Sequence, residues 1–147
     1  MAEVVDSLAN SLSLKYNVSI ICPDSKGGIG RSLSTFKQYN ENVSYAKFSN
    51  VNYYLIEIQS WHQELKKLLN TLEIDIFHNF AETYLIYFFD TKPKKSIYTI
   101  DNVNKVVGSE IYLDSYDFIT TVSESYAKEA LLEDNRISNY LKNKDNF

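Results

Sequence analysis

"IDIFHNFAETYLIYFFDTKPKKSIYTI" (Ile74–Ile100) decides the fold class of this chain. It opens with the compact apolar run "IDIFH" (Ile74–His78), which reads as a buried strand. A helical stretch from about Phe80 to Phe89 follows, and it must stop ahead of Pro93, because the residue before a proline is pushed out of the helical region. "KSIYTI" (Lys95–Ile100) is then a second strand. Two strands joined through a helical crossover run parallel. The same alternation extends downstream to "DFITTV" (Asp117–Val122), another strand, and to Ser123, placed to cap the next helix with Glu124 in its first turn. A short helix around Ile137–Leu141 ends the chain.

Upstream, "MAEVVDSLANSLS" is an amphipathic helix with Val4, Leu8 and Leu12 spaced by four and Val5 and Ala9 beside them. "NVSIIC" (Asn17–Cys22) and "NVSYAKF" (Asn42–Phe48) read as strands. From Val51 the apolar positions Val51, Leu55, Ile58, His62, Leu65, Leu69 and Leu72 step by four and three, and this predicts one long helix of about six turns. The alternative is a strand over the aromatic part "NYYLIEI", with the helix starting at the Ser60/Gln63 capping pair. Alternating strands and helices, with strands apolar along nearly their whole length, predict an α/β fold: a parallel sheet with helices on both faces, here as a single domain over residues 1–147.

Composition narrows the function classes. Among 147 residues, 44% are hydrophobic and 14% aromatic, with twelve Tyr and eight Phe, so a real core can form from rings, many of which carry a hydroxyl. The net charge of −4 argues against nonspecific nucleic-acid binding, and "KPKK" (Lys92–Lys95) is too short to reverse that. No apolar run approaches a membrane span, and no leader is visible, so the expected setting is soluble, reducing and cytoplasmic. The single Cys22 reads as a buried structural thiol. Two histidines and one cysteine at these spacings make no metal site, and no metal or cofactor is expected.

In parallel sheets, ligands meet the carboxyl ends of strands. That rule selects four loops: Pro23–Gly30, His78–Phe80, Asp101–Asn104 and Ser123–Tyr126. The glycine-rich "KGGIGR" (Lys26–Arg31) matches neither phosphate-loop pattern and reads as a flexible loop. His78 closes its strand at the ligand edge, where it is either a satisfied structural histidine or a partner for a substrate hydroxyl. Asp101 and Asn102 occupy the equivalent place after the next strand, and by themselves they suit a turn. His62 falls on the apolar stripe of its helix and is expected to pack there. No Ser-His-Asp or Cys-His constellation is evident.

One longer run adds to this. "YDFITTVSESYAKEA" (Tyr116–Ala130) resembles the segment Y-A-D-x-(I/V)-T-T-V-S-P-T-Y-A-x-E of bacterial glycogen synthases and plant starch synthases, matching at Tyr116, Asp117, Thr120, Thr121, Val122, Ser123, Tyr126, Ala127 and Glu129. The opening residues resemble that family's G-G-L-A-(D/E)-V-V-x-x-L-P-x-A-L segment. "IDIFHNF" sits where the family has P-D-(I/V)-(I/V)-H-x-H-D-W-H, and "KKSIYTIDNV" where it has T-(I/V)-H-N-L. The resemblance spans most of the chain outside about residues 24–50, where this sequence is shorter.

The resemblance implies the N-terminal half of a GT-B architecture, two Rossmann-like domains facing a cleft. It also implies transfer of glucose from ADP-glucose or UDP-glucose to an α-1,4-glucan with retention. The implied partners are the glucan acceptor, the nucleotide sugar and a C-terminal GT-B domain, with no membrane or nucleic acid. Under that alignment the first strand and the K-T-G-G loop would precede Met1, so the domain would be incomplete at both ends. Glu3 corresponds to the acidic position after that loop. His78 corresponds to the first histidine of H-x-H-D-W-H, while Phe80, Ala81, Glu82 and Thr83 replace the later His, Asp, Trp and His. Asp101 replaces the histidine of T-(I/V)-H-N-L, and Asn102 keeps its asparagine. The implied roles are catalytic contact for His78 and substrate contact for Glu3, Asp101, Asn102, Ser123 and Tyr126. The replaced residues imply that the chain alone is inactive. They leave two other readings open, a catalytically dead carbohydrate-binding or regulatory domain and a GT-B transferase with a non-glucan acceptor.

Overall fold

A computed structural model describes residues 2–24, 35–145 and 147. The fold is mixed α/β, and its contacts cluster in two units, Met1–Leu68 and Leu69–Phe147.

The first unit begins with α1 (Ala2–Leu12), as the spacing predicts. Its stripe is only partly buried: Ala9 packs with Val51 and Tyr53, whereas Val4, Leu8 and Leu12 stay exposed. The Tyr53 hydroxyl donates to Asp6 at 3.1 Å and ties the helix to the sheet. The sheet has the order β1 (Val18–Asp24), β4 (Val51–Glu57), β3 (Val43–Phe48), β2 (Lys37–Asn40). Only the β1–β4 pair is parallel, while β3–β4 and β2–β3 are antiparallel, so the all-parallel expectation fails in this unit.

The long helix from Val51 is also corrected. Ser49 and Asn50 both have positive φ, 46° and 67°, the geometry of a two-residue hairpin turn, and they send the chain back along β3. Residues 51–57 are therefore a strand, the reading left as the alternative. Its Val51 and Tyr53–Ile56 are all buried, so the strand is apolar on both faces and its spacing coincided with a helical stripe. The helix proper, α2 (Trp61–Thr71), buries Glu64, Leu65, Leu68 and Leu69, which leaves His62 exposed on another side. Glu64 is held by Lys67 at 2.6 Å and Asn40 at 2.9 Å, and these bonds keep its carboxyl below the usual range despite burial. Cys22 is half-buried rather than buried. The run Lys26–Arg31 lies outside the described residues.

The second unit carries the parallel sheet read from Ile74–Ile100. β5 (Ile76–Asn79), β6 (Lys95–Ile100) and β7 (Phe118–Thr121) are parallel in that order. The pleat sends Tyr98, Ile100 and Ile119 to one face, where they meet Val106, Leu113, Tyr116, Leu131, Ile137 and Leu141. Ile76, His78, Ile97, Thr99, Phe118 and Thr120 share the opposite face. There Ile76 is 61% and Phe118 47% exposed, so the described helices do not cover both faces as the apolar strands had suggested. The crossover is shorter than read: a 3₁₀-helix over Thr83–Phe88 replaces the α-helix expected from Phe80. Further short helices follow, α3 (Glu110–Leu113), α4 (Glu124–Tyr126) continuing into a π-turn over Ala127–Leu131, and α5 (Ser138–Lys142).

Asp117 closes the amino end of this sheet. Its Oδ2 accepts from the Ser96 backbone N–H at 2.7 Å and the Ser96 hydroxyl at 2.8 Å. The Ser96 hydroxyl above all, with Lys92 and Lys95 nearby, holds the Asp117 carboxyl below its ordinary value. A depressed native pKa stabilises the fold above the unfolded carboxylate pKa, and that stabilisation is lost as pH falls through the native value. Asp117→Ala should therefore cost about 2 kcal/mol at pH 7 and clearly less at pH 3. Urea denaturation at the two pH values checks this, and an equal cost at both would sink it.

Candidate functional site

Three strands of the second unit deliver their carboxyl ends to one edge. β5 delivers His78 and Asn79, β6 leads to Asp101 and Asn102, and β7 leads to Ser123. Five of the six residues singled out from the sequence thus lie along this edge, His78 in β5, Asp101, Asn102 and Ser123 in the loops, and Tyr126 at the end of α4. Glu3 lies in the first turn of α1, exposed, in the first unit.

The turn after β5 is held by buried polar side chains. Asn79, only 3% exposed, accepts from the Ala81 N–H at 2.8 Å through Oδ1. Its Nδ2 donates to the Glu82 carbonyl at 2.8 Å and to the Tyr116 hydroxyl at 2.7 Å. The Tyr116 hydroxyl in turn donates to the Thr83 carbonyl at 2.9 Å, and the Tyr98 hydroxyl donates to the Ala81 carbonyl at 2.9 Å. Burial raises both phenols well above their ordinary pKa, so both remain donors. Three successive carbonyls are thereby fixed from beneath, which explains why residues 80–82 form a pinned turn instead of the first helical turn. Loops that carry function are positioned in this way by a rigid scaffold.

His78 stands on the opposite face from that network. Its Nε2 lies 2.7 Å from Thr99 Oγ1, which is 2.8 Å from Thr120 Oγ1, so a polar row crosses all three strands. The Phe80 ring stacks on the imidazole with centroids 4.2 Å apart. Burial lowers the His78 pKa, and the ring is neutral at pH 7. A neutral imidazole at a strand end exchanges hydrogen bonds with hydroxyls; it does not supply a positive charge.

Asp101 does not stand as a bare carboxylate. Lys105 Nζ bonds both of its oxygens at 2.9 Å and reaches the Phe80 carbonyl at 3.4 Å, linking the loops after β5 and β6. Asn102 caps its own loop, its Oδ1 accepting from the Asn104 N–H at 2.9 Å. Ser123 is the expected cap, its Oγ accepting from the Tyr126 N–H at 3.1 Å. The Tyr126 hydroxyl accepts from the Val103 N–H at 2.8 Å and so ties the third loop to the second. Asn102, Ser123 and Tyr126 therefore shape the edge through backbone hydrogen bonds.

Sequence reasoning gave no site role to Asn79, Tyr98, Thr99, Tyr116, Thr120 or Lys105, although Asn79 falls in the selected loop and Tyr116 and Thr120 match the family segment. Two signals pointed to the threonines and to Asn79: hydroxyls inside otherwise apolar strands, and an asparagine at a strand end followed by a turn. The roles of Tyr98 and Tyr116 had no local signal. Among the described residues, no group of three or more His, Cys, Asp or Glu side chains could hold a metal ion. No described helix is long and apolar enough to cross a membrane. No protein-family model, curated protein or solved structure matches this chain.

Proposed function

We propose that this chain is the acceptor-side domain of a GT-B glycosyltransferase of the glycogen or starch synthase type. In that reading glucose passes from ADP-glucose or UDP-glucose to an α-1,4-glucan, and the chain by itself binds glucan without transferring sugar. One observation carries the reading: the run Tyr116–Ala130, with nine positions in common with the family segment, forms the third parallel strand and the Ser123-capped turn. Support also comes from His78, a neutral ring at the same sheet edge, suited to a sugar hydroxyl.

Transfer from a nucleotide sugar requires groups that stabilise a separating sugar cation and a diphosphate leaving group. Here Lys105 is engaged by Asp101, and Phe80, Ala81, Glu82 and Thr83 offer neither the imidazoles, the carboxylate nor the indole at the matching positions of the family motif. Inactivity of the isolated chain follows from those residues. The same pairing favours the second reading, a catalytically dead carbohydrate-binding or regulatory domain that pairs with a complete synthase.

Incubation of the chain with ADP-glucose or UDP-glucose and glycogen should yield no glucosyl transfer. Titration with glycogen should show binding that weakens several-fold in His78→Ala. Turnover abolished by that substitution would overturn the claim of inactivity. Glycogen binding that is absent, or indifferent to His78, would overturn the acceptor-side reading.

A further inference from the structure

A groove of about 420 Å³ opens beside the pinned turn, with Phe80, Glu82, Tyr84, Lys105, Ser109 and Tyr112 around it. Its volume lies within the roughly 300–1,000 Å³ of small-molecule sites. We propose that this groove is an oligosaccharide subsite, in which Tyr84 and Tyr112 supply ring faces for a neutral pyranose. The choice of an α-glucan as its ligand rests on the functional reading above; the groove itself does not.

The rings pack edge to face, with Tyr87 supporting Tyr112 from outside the groove. Tyr84 and Tyr87 stand three residues apart on the 3₁₀-helix, a spacing that puts them on the same side of it. Tyr112 of α3 meets both, with centroids 6.2 Å from Tyr84 and 5.6 Å from Tyr87, each at 68° between planes. Tyr87 is 56% exposed, and its hydroxyl is anchored to the Ser115 hydroxyl at 2.9 Å. Half-buried tyrosines offer an apolar face with a polar tip, the complement of a pyranose with its C–H face and rim of hydroxyls.

Charge decides among ligand classes. The Lys105 ammonium is offset by both oxygens of Asp101, and Glu82 contributes a further carboxylate. Burial, followed by the field of Glu82, raises the Tyr84 pKa, so its phenol remains a donor. A phosphate or nucleotide would meet net negative charge here, whereas a neutral polyol would not. Polar groups stand at the rim: the Lys105 ammonium, the Glu82 carboxylate and the Ser109 hydroxyl, which is bonded loosely to the Lys105 carbonyl at 3.3 Å. The groove is also preformed, because the carbonyls of Ala81, Glu82 and Thr83 are pinned by Tyr98, Asn79 and Tyr116, so binding need not order that turn.

The test uses the full chain labelled in its tyrosine rings and titrated with maltoheptaose, cellohexaose, ADP and inorganic phosphate. Ring resonances of Tyr84 and Tyr112 should shift with maltoheptaose and stay unmoved by ADP and phosphate. Tyr112→Ala should weaken maltoheptaose binding about tenfold, and Tyr112→Phe less than about threefold. Tyr87→Ala, at an exposed position, gives a second reading should Tyr112→Ala fail to fold, and it should weaken binding at least twofold. Maltoheptaose binding that ignores all three substitutions, or rings that respond to ADP and phosphate, overturns the groove while leaving the glucan reading intact. Cellohexaose binding through these rings without maltoheptaose binding supports the groove and overturns the glucan reading. Failure of both oligosaccharides to move the rings overturns the groove.

Discussion

Asn79→Leu should destabilise the second unit by roughly 3 kcal/mol, because one buried side chain satisfies three partners at once. Leucine has the same branching and number of side-chain heavy atoms as asparagine, with bulkier methyls, so the main loss is polar: the Ala81 N–H, the Glu82 carbonyl and the Tyr116 hydroxyl each lose a hydrogen bond of 2.7–2.8 Å. The turn over residues 80–82 would then be free to take up the helical path that its sequence favours. Oligosaccharide binding should therefore fall along with stability. Asn79→Asp separates the contributions, since it keeps the acceptor to Ala81 but sets a carboxylate against the Glu82 carbonyl. Burial at that position raises a carboxyl pKa, and a raised native pKa makes the variant less stable as pH climbs above the unfolded value. Urea denaturation followed by circular dichroism should show Asn79→Asp closer to the parent at pH 4 than at pH 8. A cost below about 1 kcal/mol for Asn79→Leu would mean that water replaces the network at little loss.

The second large effect is expected at the centre of the parallel sheet. Ile100→Ala should cost about 4 kcal/mol, because Ile100 is fully buried against the cluster of Val106, Leu113 and Leu131 and truncation leaves a cavity there. Ile97→Ala, three residues earlier on the opposite face, should cost about 1 kcal/mol, since that side chain is only half-buried. Ile76→Ala, at a 61% exposed position, should change stability by less than about 0.5 kcal/mol. The series reads out which face of the sheet carries the core. Equal costs at Ile100 and Ile97 would contradict the one-sided packing described here.

Several elements were legible because their signals are local. α1, β1, β3, β5, β6 and β7 lie within a few residues of their predicted spans, and Ser123 caps its helix as its residue type suggests. The carboxyl edge that holds His78, Asp101, Asn102, Ser123 and Tyr126 also followed from strand–helix alternation. Where the reading failed, local signals were in conflict. Val51–Glu57 fits both a helical stripe and a doubly buried strand, and the turn at Ser49–Asn50 decides between them. The crossover after Asn79 has a helical sequence, but its first turn is claimed by side chains from β5, β6 and the segment leading into β7.

The sequence by itself determined the three strands of the second unit and the order in which they reach its carboxyl edge, because apolar runs, turn residues and caps act over a few positions. Only the tertiary structure decided what the edge residues do there. His78 is tied to Thr99 and Thr120, Asp101 to Lys105, and the turn after β5 to Asn79, Tyr98 and Tyr116. Those partners lie from 2 to 37 positions apart in the chain. Most of these bonds depend on strand register, and register is set by packing across the whole sheet rather than by any one segment.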